Sequence, residues 1–378
     1  MKTIFRLFLP FLALVPLVQC APQPPQEVLC LDHGANNPRN SEGDFVLLGD
    51  GRILFVYTHF YGGDGNKEDH GSSYLASRCS HDHGRHWSSE DKVEVENEGR
   101  QNVHSVSLLR LDDGSIALFY LKRDSYSSLM PMMRISQDEA ETWSDAVPCL
   151  ADTVAYCVMN NARAIQTTAW RILLPLALHP NRVGEDGSVR FEPNAELLTL
   201  WSDDRGRSWH RGTPVPKPAD VITQEPGLVE MQDGSVMMYC RTYSGCQYKA
   251  LSRDGGISWS QLESTDIKSP AAPATIVPMP RSGNWLMAWN NNPQGGKWDG
   301  QRSPQTLAIS RNEGESWENL FNLEDDPHGW YCYSAIRFID RNRFLMSYCS
   351  VVKTPGSGLN GLEDTRLVLI DRRWLEKR

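Results

Sequence analysis

Short apolar runs of five to eight residues recur along the chain, each introduced by turn residues. Asp50-Gly51 precedes RILFVYT, Asp113-Gly114 precedes SIALFYL, and Asp233-Gly234 precedes SVMMYC. Weaker turn signals stand before RILLPLAL (at Trp170), WLMAW (at Gly283-Asn284) and RFLMSYC (at Arg341-Asn342). Runs rich in β-branched, aromatic and long apolar residues, punctuated in this way, read as strands. The six are expected to be the inner strands of six structural units. A seventh run, TRLVLI at 365–370, reads as a last strand. It is expected to pair near Val28–Leu31, which would close the array and remove its sheet edges. No helical heptads and no low-complexity segment interrupt the pattern, so the chain reads as all-β.

Between these runs lies a second repeat, S-x-D-x-G-x-[ST]-W. It reads SHDHGRHW at 80–87, SQDEAETW at 136–143, SDDRGRSW at 202–209, SRDGGISW at 252–259 and SRNEGESW at 310–317. Its tryptophans are 56, 66, 50 and 58 residues apart, and periods near 50 point to a repeat architecture. The residue types suit a tight turn. Ser and Asp oxygens accept nearby backbone N–H groups, Gly supplies positive φ, and Trp packs beneath. This is the Asp-box, and from about Arg39 to Trp374 the chain resembles the sialidase (neuraminidase) superfamily. The resemblance implies a six-bladed β-propeller with five Asp-box repeats, one blade lacking the box, and a central pocket where loops of several blades meet.

Composition narrows the partners. Net charge is −9 over 378 residues, which argues against a nucleic-acid surface. Lys2 and Arg6 precede an apolar run, Leu7 to Val18, too short to span a membrane. Residues 1–20 are therefore expected to be an export signal and 21–26 a Pro-rich tether, with 27–378 the β domain. The protein would be secreted or periplasmic, and acylation of Cys20 is the rival reading. Export permits disulfides. Cys240 with Cys246 and Cys332 with Cys349 are local candidates, and buried free thiols are the alternative. No C-x-x-C pair or Cys/His cluster is present, so no zinc site is expected.

The resemblance also implies the chemistry. Sialidases grip the substrate carboxylate with three arginines, whose planar forks bond both oxygens and cannot lose their charge. Arg39, Arg241 (in SVMMYCRT) and Arg302 (in RSPQTLAIS) stand at similar positions, although the family's R-I-P is replaced by Arg39-Asn40-Ser41. A carboxylate nucleophile would be repelled by that substrate, and sialidases use tyrosine instead. Tyr333 (in YCYSAIRF) and Glu225 (in TQEPGLVE) resemble the family's nucleophile and its base; Tyr331 would share a strand face with Tyr333. The general acid is expected in the loop THFYGGDGNKEDHGSS: Asp69 beside His70 is the choice, and Asp64 and Glu68 are alternatives. His70, Asn102 (in NVH) and Asn161 and Arg163 (in NNAR) are candidate contacts to the sugar, with Trp298 a candidate stacking ring. The implied activity is exo-α-sialidase acting on sialylated glycans or glycoproteins, with no metal or organic cofactor. A hydrolase for another acidic sugar and a non-catalytic carbohydrate-binding propeller are the alternatives.

Overall fold

The computed structural model describes residues 21–151, 154–184, 186, 188–292 and 301–377. The export segment with Cys20, and Trp298, lie outside the described residues. The fold is all-β, with one α-helix among the described residues, the four-residue Arg372–Leu375. No helix among the described residues is long and apolar enough to cross a membrane.

Four sheets have four antiparallel strands each. The first runs Asn40–Leu47, Ile53–Phe60, Ser73–Ser80, Lys92–Val95. Another runs Thr223–Glu230, Val236–Thr242, Cys246–Ser252, Glu263–Lys268. The next is Thr275–Pro278, Trp285–Asn290, Gln305–Ser310, Glu318–Glu324. The last is Gly329–Phe338, Arg343–Val352 and Thr365–Asp371, completed by Gln26–Leu31 from the other end of the chain. Leu29 pairs with Leu367 and Leu31 with Thr365 in that closing ladder. Nine strands between Asn102 and Arg211 form one sheet, in which two antiparallel groups meet through one parallel pairing, Tyr156 with Leu129, and Arg182–Val183 pairs separately with Val189–Arg190.

The Asp-Gly steps link first to second strands. Gly51, Gly114 and Gly234 adopt φ of 89°, 86° and 82°, conformations that side chains resist. Each preceding Asp accepts the N–H two residues on, from Arg52, Ser115 and Ser235. The six apolar runs are therefore second strands, and this corrects the expectation that they lie innermost. In four sheets the strand before them carries a bulge, between Ser41 and Asp44, His104 and Ser107, Gln224 and Pro226, or Cys332 and Ala335. Bulges and polar residues hide these strands from an apolar pattern.

All five S-x-D turns close alike. The Ser Oγ accepts the N–H four residues on, at 2.8–2.9 Å, in Gly84, Ala140, Gly206, Gly256 and Gly314. The Asp or Asn Oδ1 accepts the N–H of the residue before Trp at 2.8–2.9 Å. The tryptophans then pack into clusters between neighbouring strand groups. Trp143 joins residues of the first sheet and of strands 102–136, and Trp209 joins the two halves of the nine-stranded sheet. Trp259 and Trp317 serve the next two junctions. Trp87 packs where the last sheet, through Leu345 and Leu367, meets the first, through Phe45 and Phe55. The junction between the last two sheets is filled without such a tryptophan, by Leu286, Tyr331, Phe344 and their neighbours.

The eight described cysteines are free thiols, which corrects both disulfide candidates. Cys332 and Cys349 are register partners, yet both are buried as small core residues, like Cys240 and Cys246. Burial pushes the Cys240 thiol up to about 12, which makes it inert.

Candidate active site

Bulges aim the central side chains. Glu42, Ser105, Glu225 and Tyr333 hold left-handed backbone, with φ of 56°, 60°, 46° and 55°. Such conformations are strained for non-glycine residues and collect at functional sites. All four line one cavity of about 540 Å³, within the usual size range for small-molecule sites.

Tyr333 Oη donates to Glu225 Oε1 at 3.0 Å. Arg241 Nη1 donates to Glu225 Oε2 at 2.6 Å, and the Arg302 guanidinium lies 5.3 Å from the Tyr333 ring centre. Burial raises the Glu225 carboxyl, but Arg241 and Arg302 outweigh it and hold the group below its ordinary value. Burial and the Glu225 charge push the Tyr333 phenol well up, against the pull of Arg302 and Arg241. The resting pair is thus a neutral phenol on a carboxylate, the arrangement of a nucleophile beside its base.

The loop between Ile53–Phe60 and Ser73–Ser80 brings Glu68, Asp69 and His70 to the cavity wall. Asp69 keeps 66% of its side chain open and binds Arg39 Nη1 at 2.7 Å. The concave wall raises its carboxyl, but the Arg39 charge and hydrogen bond prevail and hold it well below the usual carboxylate range. The Asp64 backbone opens a one-turn helix, Asp64–Asn66.

Arg241, Arg302, Glu225, Tyr333, Asp69 and His70 thus meet at one cavity. Arg39 stands behind it, 1% exposed. Besides Asp69 it holds Ser41 Oγ at 2.9 Å and approaches Glu42 at 3.6 Å. Three expected sugar contacts, Asn102, Asn161 and Arg163, lie outside the residues that line the cavity, and their side chains donate to groups within the protein. Asn102 donates to the carbonyls of Asp69 and Gly71, shaping the loop that carries Asp69. Asn161 donates to those of Gly43 and Tyr333, holding the Tyr333 bulge. Arg163 is buried against Tyr239, Thr275 and Ala274. Tyr331 is buried in a core cluster, because the bulge breaks the two-residue alternation that would align it with Tyr333.

A family model described as a BNR repeat-like domain matches residues 51–359. The chain belongs to that family, within the sialidase superfamily. This BNR-repeat chain is 28% identical to a Vibrio cholerae sialidase over 189 residues, covering 43% of this chain and 23% of that protein. It is 33% identical to an anhydrosialidase of Macrobdella decora over 135 residues, covering 34% of this chain and 16% of that one. The chain thus matches less than a quarter of the length of either relative. A leech intramolecular trans-sialidase bound to 2,7-anhydro-Neu5Ac superposes with a TM-score of 0.70 at 15% identity, covering 93% of this chain and 70% of that one.

Sequence reasoning missed Glu42, Arg123, Tyr156, His179, Tyr243 and Trp330, all on the cavity wall of this BNR-repeat protein. Arg123 had a signal: it ends the run SIALFYLKR as Arg241 ends SVMMYCR. His179 likewise ends the strand Ile172–His179, after the run RILLPLAL; the others come from bulged or short strands and from loops, without a local pattern.

Proposed function

We propose that this protein is an exo-α-sialidase on a six-bladed β-propeller, hydrolysing terminal sialic acids from glycoconjugates with retention of configuration. The propeller reading rests on the strand groups packed each on the next, and on the last meeting the first around Trp87. Residues 27–378 would form that domain, with 1–20 the export signal of a secreted or periplasmic protein, 21–26 its tether, and lipid anchoring through Cys20 the alternative.

The observation that carries the activity is the 3.0 Å contact of Tyr333 with Glu225 beside Arg241 and Arg302. Arg241 and Arg302 take the substrate carboxylate, joined by Arg39 as it exchanges Asp69 for that carboxylate. Tyr333 Oη attacks the anomeric carbon as its proton passes to Glu225, and Asp69 protonates the leaving glycosidic oxygen. Asp69 then deprotonates a water that attacks the same carbon, and Tyr333 recovers its proton from Glu225. Two inversions at one carbon give net retention. Asp69 is ionised while it holds Arg39. A substrate carboxylate that competes for Arg39 releases Asp69 and adds a negative charge nearby, which lifts its pKa toward that of a proton donor.

Turnover of an aryl sialoside tests the reading, with the first-formed product read by NMR. Release of α-sialic acid supports it. Release of the 2,7-anhydro sugar would overturn hydrolysis and leave the tyrosine step standing. A second reading, a hydrolase for another acidic sugar, draws on the engagement of Arg39 by Asp69; preference for such a sugar in a substrate panel would establish it. Binding without turnover would leave a carbohydrate-binding propeller.

A further inference from the structure

Four arginines surround the proposed reaction centre in two sets. Arg241 and Arg302 act on Glu225 and Tyr333, whereas Arg39 and Arg123 act on Asp69. Arg39 is paired with Asp69, and Arg241 with Glu225. Among the described residues, neither Arg302 nor Arg123 has a carboxylate within 4.0 Å. Arg302 takes the sialic acid carboxylate in the proposed reaction. Arg123 has no such role.

Arg123 is 4% exposed and lines the cavity. Its Nη2 donates to His104 Nε2 at 3.3 Å, and its guanidinium lies 5.4 Å from the Tyr156 ring centre. Its Nε is buried without a partner. Burial pushes the His104 imidazole pKa down despite Glu42, so a neutral ring is what Arg123 touches. A buried guanidinium with no carboxylate in contact is costly, and it is completed by an anion that brings its own acceptors. The wall continues from Arg123 through Tyr156 to Phe191, whose rings lie 6.0 Å apart, edge to face. Phe191 and Tyr126 stand 50% and 47% exposed at that rim, and flat apolar surfaces of this kind suit a sugar face.

We propose that Arg123 forms a second oxyanion subsite, which receives a carboxylate or sulfate carried by the sugar on the leaving side of the scissile bond. The assignment rests on the sialidase reading, because it takes Asp69 as the acid and hence its neighbourhood as the leaving-group side. The preferred substrate would then carry two negative groups: its own anomeric carboxylate on Arg241 and Arg302, and a second on Arg123.

The test compares kcat/KM for three sialosides of one linkage, whose leaving sugar is a neutral hexose, the matching uronic acid, or the hexose 6-sulfate. An aryl sialoside serves as the reference. The native protein should favour at least one anionic substrate over the neutral one by about tenfold; the uronic acid or the sulfate ahead identifies the source of the anion. Arg123→Gln should bring that ratio to near one, and Arg123→Lys should leave it intermediate, since Lys keeps the charge and loses the fork. A support role for Arg123 would lower all rates together and leave the ratio untouched. A native ratio near one, or a ratio kept in Arg123→Gln, overturns the subsite while aryl sialoside turnover leaves the sialidase reading intact. If Arg123→Gln does not fold, as judged by a thermal melt, the native and Arg123→Lys ratios decide. Absence of aryl sialoside turnover by the native protein defeats the sialidase reading, and the subsite with it.

Discussion

Tyr333 Oη lies 3.0 Å from Glu225 Oε1 across 108 positions of sequence, and each residue sits in a left-handed bulge of its own sheet. Neither strand presents its functional side chain by ordinary alternation. The bulge in each re-aims one residue into the cavity.

The pair carries the first prediction. Tyr333→Phe keeps the ring and deletes the hydroxyl, so the fold should survive while kcat falls by on the order of 100-fold or more. Glu225→Gln should slow formation of the covalent intermediate. A fluorinated sialosyl inactivator should label Tyr333, as read by peptide mass; a labelled carboxylate would falsify the tyrosine mechanism.

Carboxylate binding is the second. Arg241→Ala and Arg302→Ala should each raise the inhibition constant of free sialic acid by the equivalent of about 2–5 kcal/mol, the range for truncating one partner of a buried charge pair. Lys in either place should raise it by less, since Lys keeps the charge and loses the fork. Equal binding by the native and variant proteins would remove these residues from the substrate site.

Protonation of Asp69 is the third. In the free protein Arg39 holds its pKa low. Ligand carboxylate that displaces Asp69 from Arg39 should raise that pKa to its ordinary value of about 4 or above, so ligand binding below about pH 5 should take up a proton. Affinity should accordingly weaken as pH rises. Calorimetry in buffers of different ionisation enthalpy measures the uptake, and Asp69→Asn should abolish it. Binding without uptake in the native protein would leave Asp69 ionised and unfit as the acid.

The turns supply a structural control. Asp254 accepts the N–H groups of Ile257 and Ser258 and lies far from the cavity residues in its sheet register. Asp254→Ala should lower unfolding stability by about 1 kcal/mol, as measured in urea, with kcat unchanged. Lost activity at full stability would show that the turn has a catalytic part.

The sequence by itself determined the turns and the apolar strands. Ser-x-Asp-x-Gly-x-x-Trp closes through bonds spanning four residues, and Asp-Gly steps set their own backbone, so local chemistry is enough. Arg241, Glu225 and Tyr333 were legible through family resemblance, not through local pattern. Tertiary structure decided which strand faces the cavity, because bulges interrupt the periodicity a reader relies on. It decided that Asn102, Asn161 and Arg163 lie off the cavity wall, donating to backbone groups and side chains distant in sequence. It also decided that Arg39 is held by Asp69 and that, among the described residues, no carboxylate lies within 4.0 Å of Arg123. A charge acquires or lacks a partner only when separate loops and sheets are brought together, and no local spacing encodes that outcome.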